Sequence, residues 1–477
     1  MITKLARKFM NATALAGALT VGMGTVSAQA ETLADALVGA YTHSGLLDQN
    51  RALLRAADED VPIALANLRP IITWTGNITQ QLGESTSTSF LGTTSTNAID
   101  STTIFLDIAL QWQLYDFGAD AARVEATKET VLATRATLLD VEQLILLRAA
   151  TAYFNVGRTE SLVALSRNNL GLLREELRAA TDRFEVGEVT RTDVSLAEAA
   201  VAQARSNLAD AQRDLAQAQA EFTNVVGRKP GRLSGFPPLP RTETRVESAQ
   251  AVAVRTHPEM EEARRQVSAN ELLVTAAYKD MLPVVTLNSN VRVTEEFGDA
   301  DASETASIGL NVTGPIYQGG RLTALERRAI AVRDAARGNL HNVRHNVQQD
   351  VVNAISDFEA ARASLIASEQ QIRAARVAFQ GVREEATLGA RTTLDVLDAE
   401  QDLLDAETNR ISAQADQYIA AYSVLESMGL LTAQRLNLPV QIYDPAAYYN
   451  LVKDGPAKQS KQGKQLDRVL RALQVDD

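Results

Sequence analysis

Residues 385–405 read EATLGARTTLDVLDAEQDLLD and mark a join between two long helices. The helical pattern breaks at residues 388–390. Thr392 then precedes Asp395 by three residues, which is the spacing of a capping box at a helix N-terminus. Beyond this cap, aspartates recur at intervals of three, four and three residues, so the second helix is predicted to carry carboxylates on one face. These aspartates are Asp395, Asp398, Asp402 and Asp405.

The stretch has a counterpart 202 residues earlier in the chain. Because no insertion has changed this offset over roughly a hundred residues, the sequence predicts two matched pairs of long helical rods rather than a duplicated globular domain. The pairs are Tyr115/Tyr317, Gly118/Gly320, Gly187/Gly389, Thr190/Thr392, Asp193/Asp395, Glu198/Glu400 and Gly227/Gly429. The acidic face is not repeated, since the first copy has Leu196, Ala200 and Gln203 in place of the last three aspartates.

The repeat predicts the domain organisation. Each copy should contain short helices, two strands and a helical hairpin, with the hairpins at 118–227 and 320–429. The predicted segments are a signal peptide (1–30), a first repeat (31–229), a linker (230–245), a second repeat (246–430) and a C-terminal equatorial segment and tail (431–477). In that tail, a basic flexible linker is expected at 453–464 and a short helix at 466–473.

The N-terminus has the pattern of a secretory signal peptide. Lys4, Arg7 and Lys8 precede an apolar stretch at 12–26, and residues 28–30 fit a small-x-small cleavage site. The alternative is an N-terminal membrane anchor, but the apolar stretch is short for a membrane span.

The overall composition excludes several classes of protein. The chain has 477 residues and a formal net charge of −12, which argues against a nucleic-acid partner. It contains no cysteine, so it has neither disulfides nor thiolate metal ligands. No phosphate-binding loop, nucleophile elbow or other catalytic motif occurs, so we expect no enzyme activity, cofactor or metal. His341 and His345 have a spacing that can bind a metal, but a solvated pair is the simpler interpretation.

Four segments alternate between apolar and polar residues with the period of a β-strand: 71–82, 102–114, 284–294 and 306–316. Their length matches tilted transmembrane strands, and their polar faces are rich in Thr, Asn and Gln, as in a water-filled lumen. The two tryptophans, Trp74 and Trp112, are placed as an aromatic belt at the membrane interface requires. A half-buried sheet in a soluble protein would show the same alternation. Loops are expected at 83–101 and 297–304.

Four strands leave two unpaired edges, which a lipid environment does not tolerate. The smallest transmembrane barrels have about eight strands. The chain is therefore predicted to close a barrel only as an oligomer. Two proline-free stretches, 118–186 and 322–388, would each form a helix about 100 Å long, and return helices are expected from Thr192 and Thr393.

With these elements placed, the chain resembles the TolC family of outer-membrane efflux and export channels. The resemblance rests on the motif GARTTLDVLDAE at 389–400, on Tyr-x-x-Gly in both copies and, for the type I secretion branch, on residues 420–433. It implies an α+β membrane protein that forms a homotrimer, with a twelve-stranded barrel in outer-membrane lipid and a helical tunnel in the periplasm. It also implies a periplasmic adaptor and an inner-membrane ABC or RND transporter as partners.

The resemblance also implies roles for individual residues. Asp395 and Asp398 would form carboxylate rings at the tunnel entrance, and Arg391 would hold the entrance shut by contacts near Thr192 and Asp193. The position of a further family partner, a glutamine, corresponds to Glu176. Ala386 replaces a tyrosine of this latch, so the closed-state contacts are incomplete.

Several alternatives remain at this point. Asp395 is also explained as a capping residue, and Asp402 and Asp405 either extend the lumen surface or belong to a solvated face. The function predicted from sequence is a passive export conduit, with type I protein secretion favoured. Multidrug or small-molecule efflux would use the same fold, and a periplasmic coiled-coil protein without a pore is the remaining alternative.

Overall fold

The structure is a computed structural model that describes residues 30–243, 245–297 and 302–473. Apart from Ala30, the predicted signal peptide lies outside the described residues, as do residues 298–301 of the loop expected at 297–304. The other residues of that expected loop belong to strands, because strand pairing extends to Phe297 and Ala302. No helix in the described ranges is long and apolar enough to cross a membrane.

Both halves of the chain have the same order of elements: two helices, two strands and two further helices. The first half contains α1 (Leu33–His43), α2 (Gly45–Ala66), β1 (Ile71–Thr88), β2 (Thr94–Tyr115), α3 (Ala119–Glu185) and α4 (Arg191–Val226). The second half contains α5 (Val246–Thr256), α6 (Pro258–Lys279), β3 (Val284–Phe297), β4 (Ala302–Thr313), α7 (Arg321–Thr387) and α8 (Thr393–Ser427). The helices α9 (Pro445–Val452) and α10 (Lys461–Leu473) follow. The long helices α3 and α7 have 67 residues each and extend for about 100 Å.

The strands form one antiparallel sheet in the order β1-β2-β3-β4. Its register places apolar side chains on one face, since Trp74 is opposite Ile108 and Ile108 is opposite Val291. This face is uncovered in the protomer, where Trp74 is 75% exposed and Ile308 is 76% exposed. The other face is polar and includes an ion pair between Arg292 and Asp107 at 3.1 Å. An uncovered apolar face suits contact with lipid.

The strands of the first pair are longer than predicted. The Ser- and Thr-rich segment 83–101 was expected to be a loop, but β1 continues to Thr88 and β2 begins at Thr94. Threonine is β-branched and favours strands, and opposed threonines contact each other across an antiparallel pair. Only residues 89–93 form the turn, in which the Ser89 amide donates to the Thr93 carbonyl at 2.9 Å.

The fourth strand is shifted relative to its predicted bounds of 306–316. It begins at Ala302 and ends at Thr313, so the assignment of Ile316 to the strand was wrong. Gly314 lies against Pro283, and a Cβ there would be 3.1 Å from the proline ring. Pro315 follows and has no N–H to donate to the sheet, which ends the strand.

The long helices end at the two predicted breaks. The capping box at Thr392 and Asp395 is confirmed, because each side chain bonds the backbone N–H of the other. The first copy has the same box at Thr190 and Asp193. Helix α4 therefore begins at Arg191, slightly before the predicted Thr192.

The largest buried side chains lie where the short helices surround α3. Tyr153, Phe154 and Phe222 are fully buried there. The Tyr153 hydroxyl donates to the Gly235 carbonyl of the inter-repeat linker at 2.9 Å. Glu31 also contacts that linker, since its carboxylate accepts a hydrogen bond from the Gly231 amide at 2.7 Å. Glu31 and the linker are thus attached to the same core.

The C-terminal segment packs beside α2. The Tyr448 hydroxyl in α9 donates to Glu59 at 2.7 Å. The flexible linker predicted at 453–464 is wrong in its second half, since hydrogen-bonded turns lead into α10 at Lys461. The helix expected at 466–473 therefore begins five residues earlier.

Candidate entrance at the helical tips

The tips of the two hairpins lie side by side at the end of the molecule opposite the sheet. The tip of the first hairpin comprises residues 184–193, and the tip of the second comprises residues 385–395. Together with the adjoining turns of α3, α7 and α8, they line a cleft of about 810 Å³. Both turns use a glycine with positive φ, Gly187 at 83° and Gly389 at 78°, a conformation that side chains disfavour. The backbones of the two tips therefore match.

Arg391 is engaged within its own tip. Its Nε donates to the Glu385 carboxylate at 2.8 Å, and both side chains are about half exposed. The sequence analysis expected Arg391 to reach the neighbouring hairpin near Thr192 and Asp193. Within the protomer it instead pairs with Glu385, because the Gly389 turn brings residues 385 and 391 together.

Near the tips, an ion pair between the two hairpins uses another arginine. Arg383 of α7 lies 3.3 Å from Glu176 of α3. Glu176 was expected to be a partner of Arg391, but within the protomer it pairs with Arg383. The pKa of Asp193 is lowered mainly by hydrogen bonds from Thr190, and the Thr393 hydroxyl at the start of α8 adds to this effect. The first turns of α4 and α8 thus contact each other.

The aspartates of α8 occupy different environments. Asp395 is engaged by the Thr392 backbone and hydroxyl, and these hydrogen bonds hold its pKa below its usual range. Asp398, Asp402 and Asp405 are exposed on the protomer surface. Asp405 accepts a hydrogen bond from Gln401 at 2.8 Å. The predicted acidic face is therefore open, as a role at the entrance requires.

The opposite side of α8 buries a carboxyl group that the sequence analysis did not single out as functional. Glu400 is only 4% exposed, and neither carboxylate oxygen has a hydrogen-bond partner among the described residues. Burial, together with the nearby charge of Glu176, raises its pKa from 4.5 to about 7, while Arg383 opposes the shift. Glu400 therefore titrates near neutral pH, beside the ion pair that joins the hairpins.

Glu400 also lines a small cavity between α3, α4 and α8. The cavity measures about 70 Å³, and its polar lining comes from Asn169, Gln203, Asn207 and Gln401. The repeat equivalent of Glu400, Glu198, is exposed. The sequence does show this glutamate in both copies of the repeat. The burial of Glu400, however, depends on how α8 is rotated against α3, and the repeat does not reveal that rotation.

The sheet and the tips together define a class of protein. A sheet with an uncovered apolar face at one end and helical hairpins about 100 Å long at the other is the protomer of an outer-membrane channel with a periplasmic extension. The family model for "Outer membrane efflux protein" matches residues 40–228 and 251–430. The chain therefore belongs to the TolC-like family of outer-membrane efflux channels, and it is a channel protein of the outer membrane rather than an enzyme.

Individual relatives agree with this assignment. The outer membrane efflux protein BepC of Brucella suis is 35% identical over 442 residues, which cover 92% of this chain and 94% of the relative. The TolC protein of Vibrio cholerae is 26% identical over 304 residues, covering 61% of this chain and 69% of the relative.

Solved structures support the fold. The outer-membrane channel OprN superposes with a TM-score of 0.73 at 20% identity, covering 83% of this chain and 89% of that one. The CmeC channel of Campylobacter jejuni superposes with a TM-score of 0.75 at 16% identity, covering 92% of this chain and 90% of that one. Channels of this family act in tripartite systems with an adaptor and an inner-membrane transporter.

Proposed function

We propose that the protein is a homotrimeric conduit whose three protomers close one twelve-stranded barrel. The observation that carries this proposal is the four-stranded sheet with β1 and β4 at its edges and an uncovered apolar face. Lipid tolerates neither an open edge nor an unpaired backbone group, so another copy of the sheet must pair with each edge. Trp74 and Trp112 lie on the apolar face near the helices, where the barrel would meet the membrane interface.

The entrance lies at the tips and is lined by carboxylates. Asp395 and Asp398 of three protomers supply six negative charges around the axis, which attract cations and slow anions. Asp402 and Asp405 extend this surface along the tunnel. The closed state is held by contacts among Arg391, Thr192, Asp193, Glu176 and their neighbours. The contact that supports this proposed latch is the Glu176–Arg383 ion pair, which joins the two hairpins beside the cleft.

The cargo we propose is protein, exported by a type I secretion system through an ABC transporter and a periplasmic adaptor. Two relatives support this choice. The alkaline protease secretion protein AprF of Pseudomonas aeruginosa is 24% identical over 328 residues, and the proteases secretion protein PrtF of Dickeya chrysanthemi is 23% identical over 389 residues. Residues 420–433, which resemble this branch, add to the argument.

Efflux of drugs or other small molecules is the second candidate, with an RND or ABC transporter as partner. It is favoured by the likeness to BepC, which is named an efflux protein and matches almost the whole chain. The two candidates differ in the inner-membrane transporter and in the cargo, whereas the conduit itself is the same.

Disruption of the gene in its parent bacterium distinguishes the candidates. We expect the loss of specific proteins from the culture medium, restored by the intact gene, with unchanged susceptibility to drugs. Sensitisation to drugs with an unchanged set of secreted proteins would favour efflux instead. Heat-modifiable trimers in outer-membrane fractions are expected in both cases, and recovery as a soluble periplasmic protein would favour the coiled-coil alternative without a pore.

A further inference from the structure

We propose that α10 is a membrane-surface helix that binds anionic phospholipid headgroups on the periplasmic face of the outer membrane. The first observation is the distribution of its side chains. Leu466, Val469 and Leu470 lie on one side of the helix, and Val469 is 39% exposed. The opposite side carries exposed basic residues: Lys461, Lys464, Arg468 and Arg471. A helix with one apolar and one basic face is the form that lies in a membrane interface.

The second observation is charge. Helix α10 has four basic residues and one acidic residue, Asp467, which gives a net charge of +3, whereas the whole chain carries −12. No ion pair among the described residues involves a basic residue of this helix, although the protein surface offers many carboxylates. The charge of α10 is thus available to an external anion.

The third observation is where the helix is attached. The Asp454 carbonyl accepts a hydrogen bond from Arg69 at 2.8 Å, and Arg69 is two residues before β1 begins at Ile71. At the same level, the Trp112 indole donates to the Leu68 carbonyl at 3.2 Å. The chain at Asp454 is therefore fixed at the end of the sheet that meets the helices, which is the periplasmic edge of the membrane-spanning part.

The connection from this attachment point to α10 is short. Lys461 is seven residues beyond Asp454, which allows a reach of at most about 25 Å. Turns shorten it further, with the Ser460 amide bonded to the Ala457 carbonyl at 2.8 Å and the Gly463 amide bonded to the Ser460 hydroxyl at 2.9 Å. A helix of 13 residues held this close to the sheet can lie along the leaflet over its full length of about 20 Å.

An anionic lipid surface satisfies both faces of α10 at once. The apolar side chains enter the boundary between headgroups and acyl chains, and the basic side chains reach the surrounding phosphates. A polar polymer that bears carboxylates, such as peptidoglycan, would satisfy the charges but leave the apolar face in water. The inference is independent of the cargo that the channel carries.

Single-cysteine labelling tests the proposal, because the native chain has no cysteine. Full-length trimers of the Val469→Cys and Asp467→Cys variants carry an environment-sensitive fluorophore and are reconstituted into vesicles of phosphatidylethanolamine and phosphatidylglycerol. Asp467 is partly exposed and lies on the other side of the helix from Val469, and its removal takes no positive charge from α10, so it is the matched control. We expect nitroxide-labelled lipids to quench the label at position 469 and to leave the label at 467 largely unquenched.

Charge dependence provides the second arm. Replacing phosphatidylglycerol by phosphatidylcholine, or introducing Lys464→Gln with Arg468→Gln, is expected to weaken docking by about fivefold per charge removed. Heat-modifiable trimers verify that each variant is assembled. Equal quenching at 467 and 469 would overturn the proposal. So would shielding of position 469 without lipid, which would place protein over the apolar face, or shielding by purified peptidoglycan but not by vesicles.

Discussion

Glu400 offers the sharpest test of how the two hairpins are held together. Its carboxyl group is buried, has no hydrogen-bond partner among the described residues and has a pKa raised from 4.5 to about 7. A group whose pKa is higher in the packed state stabilises that state when protonated. The packing of α8 against α3 and α4 should therefore be strongest below pH 4.5, weaken as the pH rises to about 7 and remain constant above it.

The raised pKa of Glu400 sets the size of the pH effect on the packing of α8. A pKa that rises from 4.5 to about 7 corresponds to about 3 kcal/mol per protomer at most, or roughly a three-hundredfold change in the equilibrium for local opening. Glutamine has nearly the shape of protonated glutamate and does not titrate. Glu400→Gln should match the unchanged protein at pH 4.5 and exceed it in local stability at pH 8.

Amide hydrogen exchange measured by mass spectrometry follows this opening directly, on peptides from residues 393–403 and after correction for the intrinsic effect of pH. Glu198→Gln is the matched control, because it makes the same chemical change at the exposed repeat equivalent and should leave the pH profile unaltered. Asp395 stays ionised across this range, since hydrogen bonds from Thr392 keep its pKa low. A pH profile that is the same with and without Glu400→Gln would refute the reasoning.

Further predictions concern the entrance itself. Asp395→Asn combined with Asp398→Asn should lower cation selectivity and block by multivalent cations in planar bilayers; unchanged selectivity would place these residues away from the constriction. Arg391→Ser should raise single-channel conductance modestly, and Arg383→Ser should raise it more because Arg383 contacts the other hairpin; the reverse order would show that Arg391 contributes more to the closed state than Arg383 does. Thr392→Ala should destabilise the first turn of α8 by about 1 kcal/mol, seen as faster hydrogen exchange there, whereas unchanged exchange would mean that the capping box contributes nothing.

The helical part of the fold could be predicted because its signals are local and repeated. The glycine turns, the capping boxes and the absence of proline fix where the long helices end, and the copy at a constant offset confirms each boundary. The strand ends were predicted less well. Serine and threonine at 83–101 suggested a loop, yet pairing between β1 and β2 extends the ladder through them. Pairing depends on the partner strand, which composition does not reveal.

The types of residue that line the candidate entrance were predicted from the sequence, whereas the contacts between their side chains were predicted less well. The exposed position of Asp398 follows from helical spacing alone. The pairing of Arg391 with Glu385 depends on the detailed path of the Gly389 turn, which brings residues six positions apart into contact. The Glu176–Arg383 pair and the burial of Glu400 depend on how the hairpins pack against each other, and the sequence of either hairpin alone contains no record of that packing.

The two tips have the same backbone conformation but different surroundings. This difference explains why only the second tip carries the acidic face. In α4 the equivalent positions include Ala200 and Gln203, which line the small cavity beside Glu400, so this face is turned toward α8. Ala200 is partly buried there, so an ionised carboxylate in its place would be costly, whereas Gln203 is exposed. The equivalent face of α8 is open, as the exposure of Asp398 shows. The duplicated hairpins have therefore diverged where one packs inside the protomer and the other presents a free surface, which is the surface that a trimer can direct toward its axis.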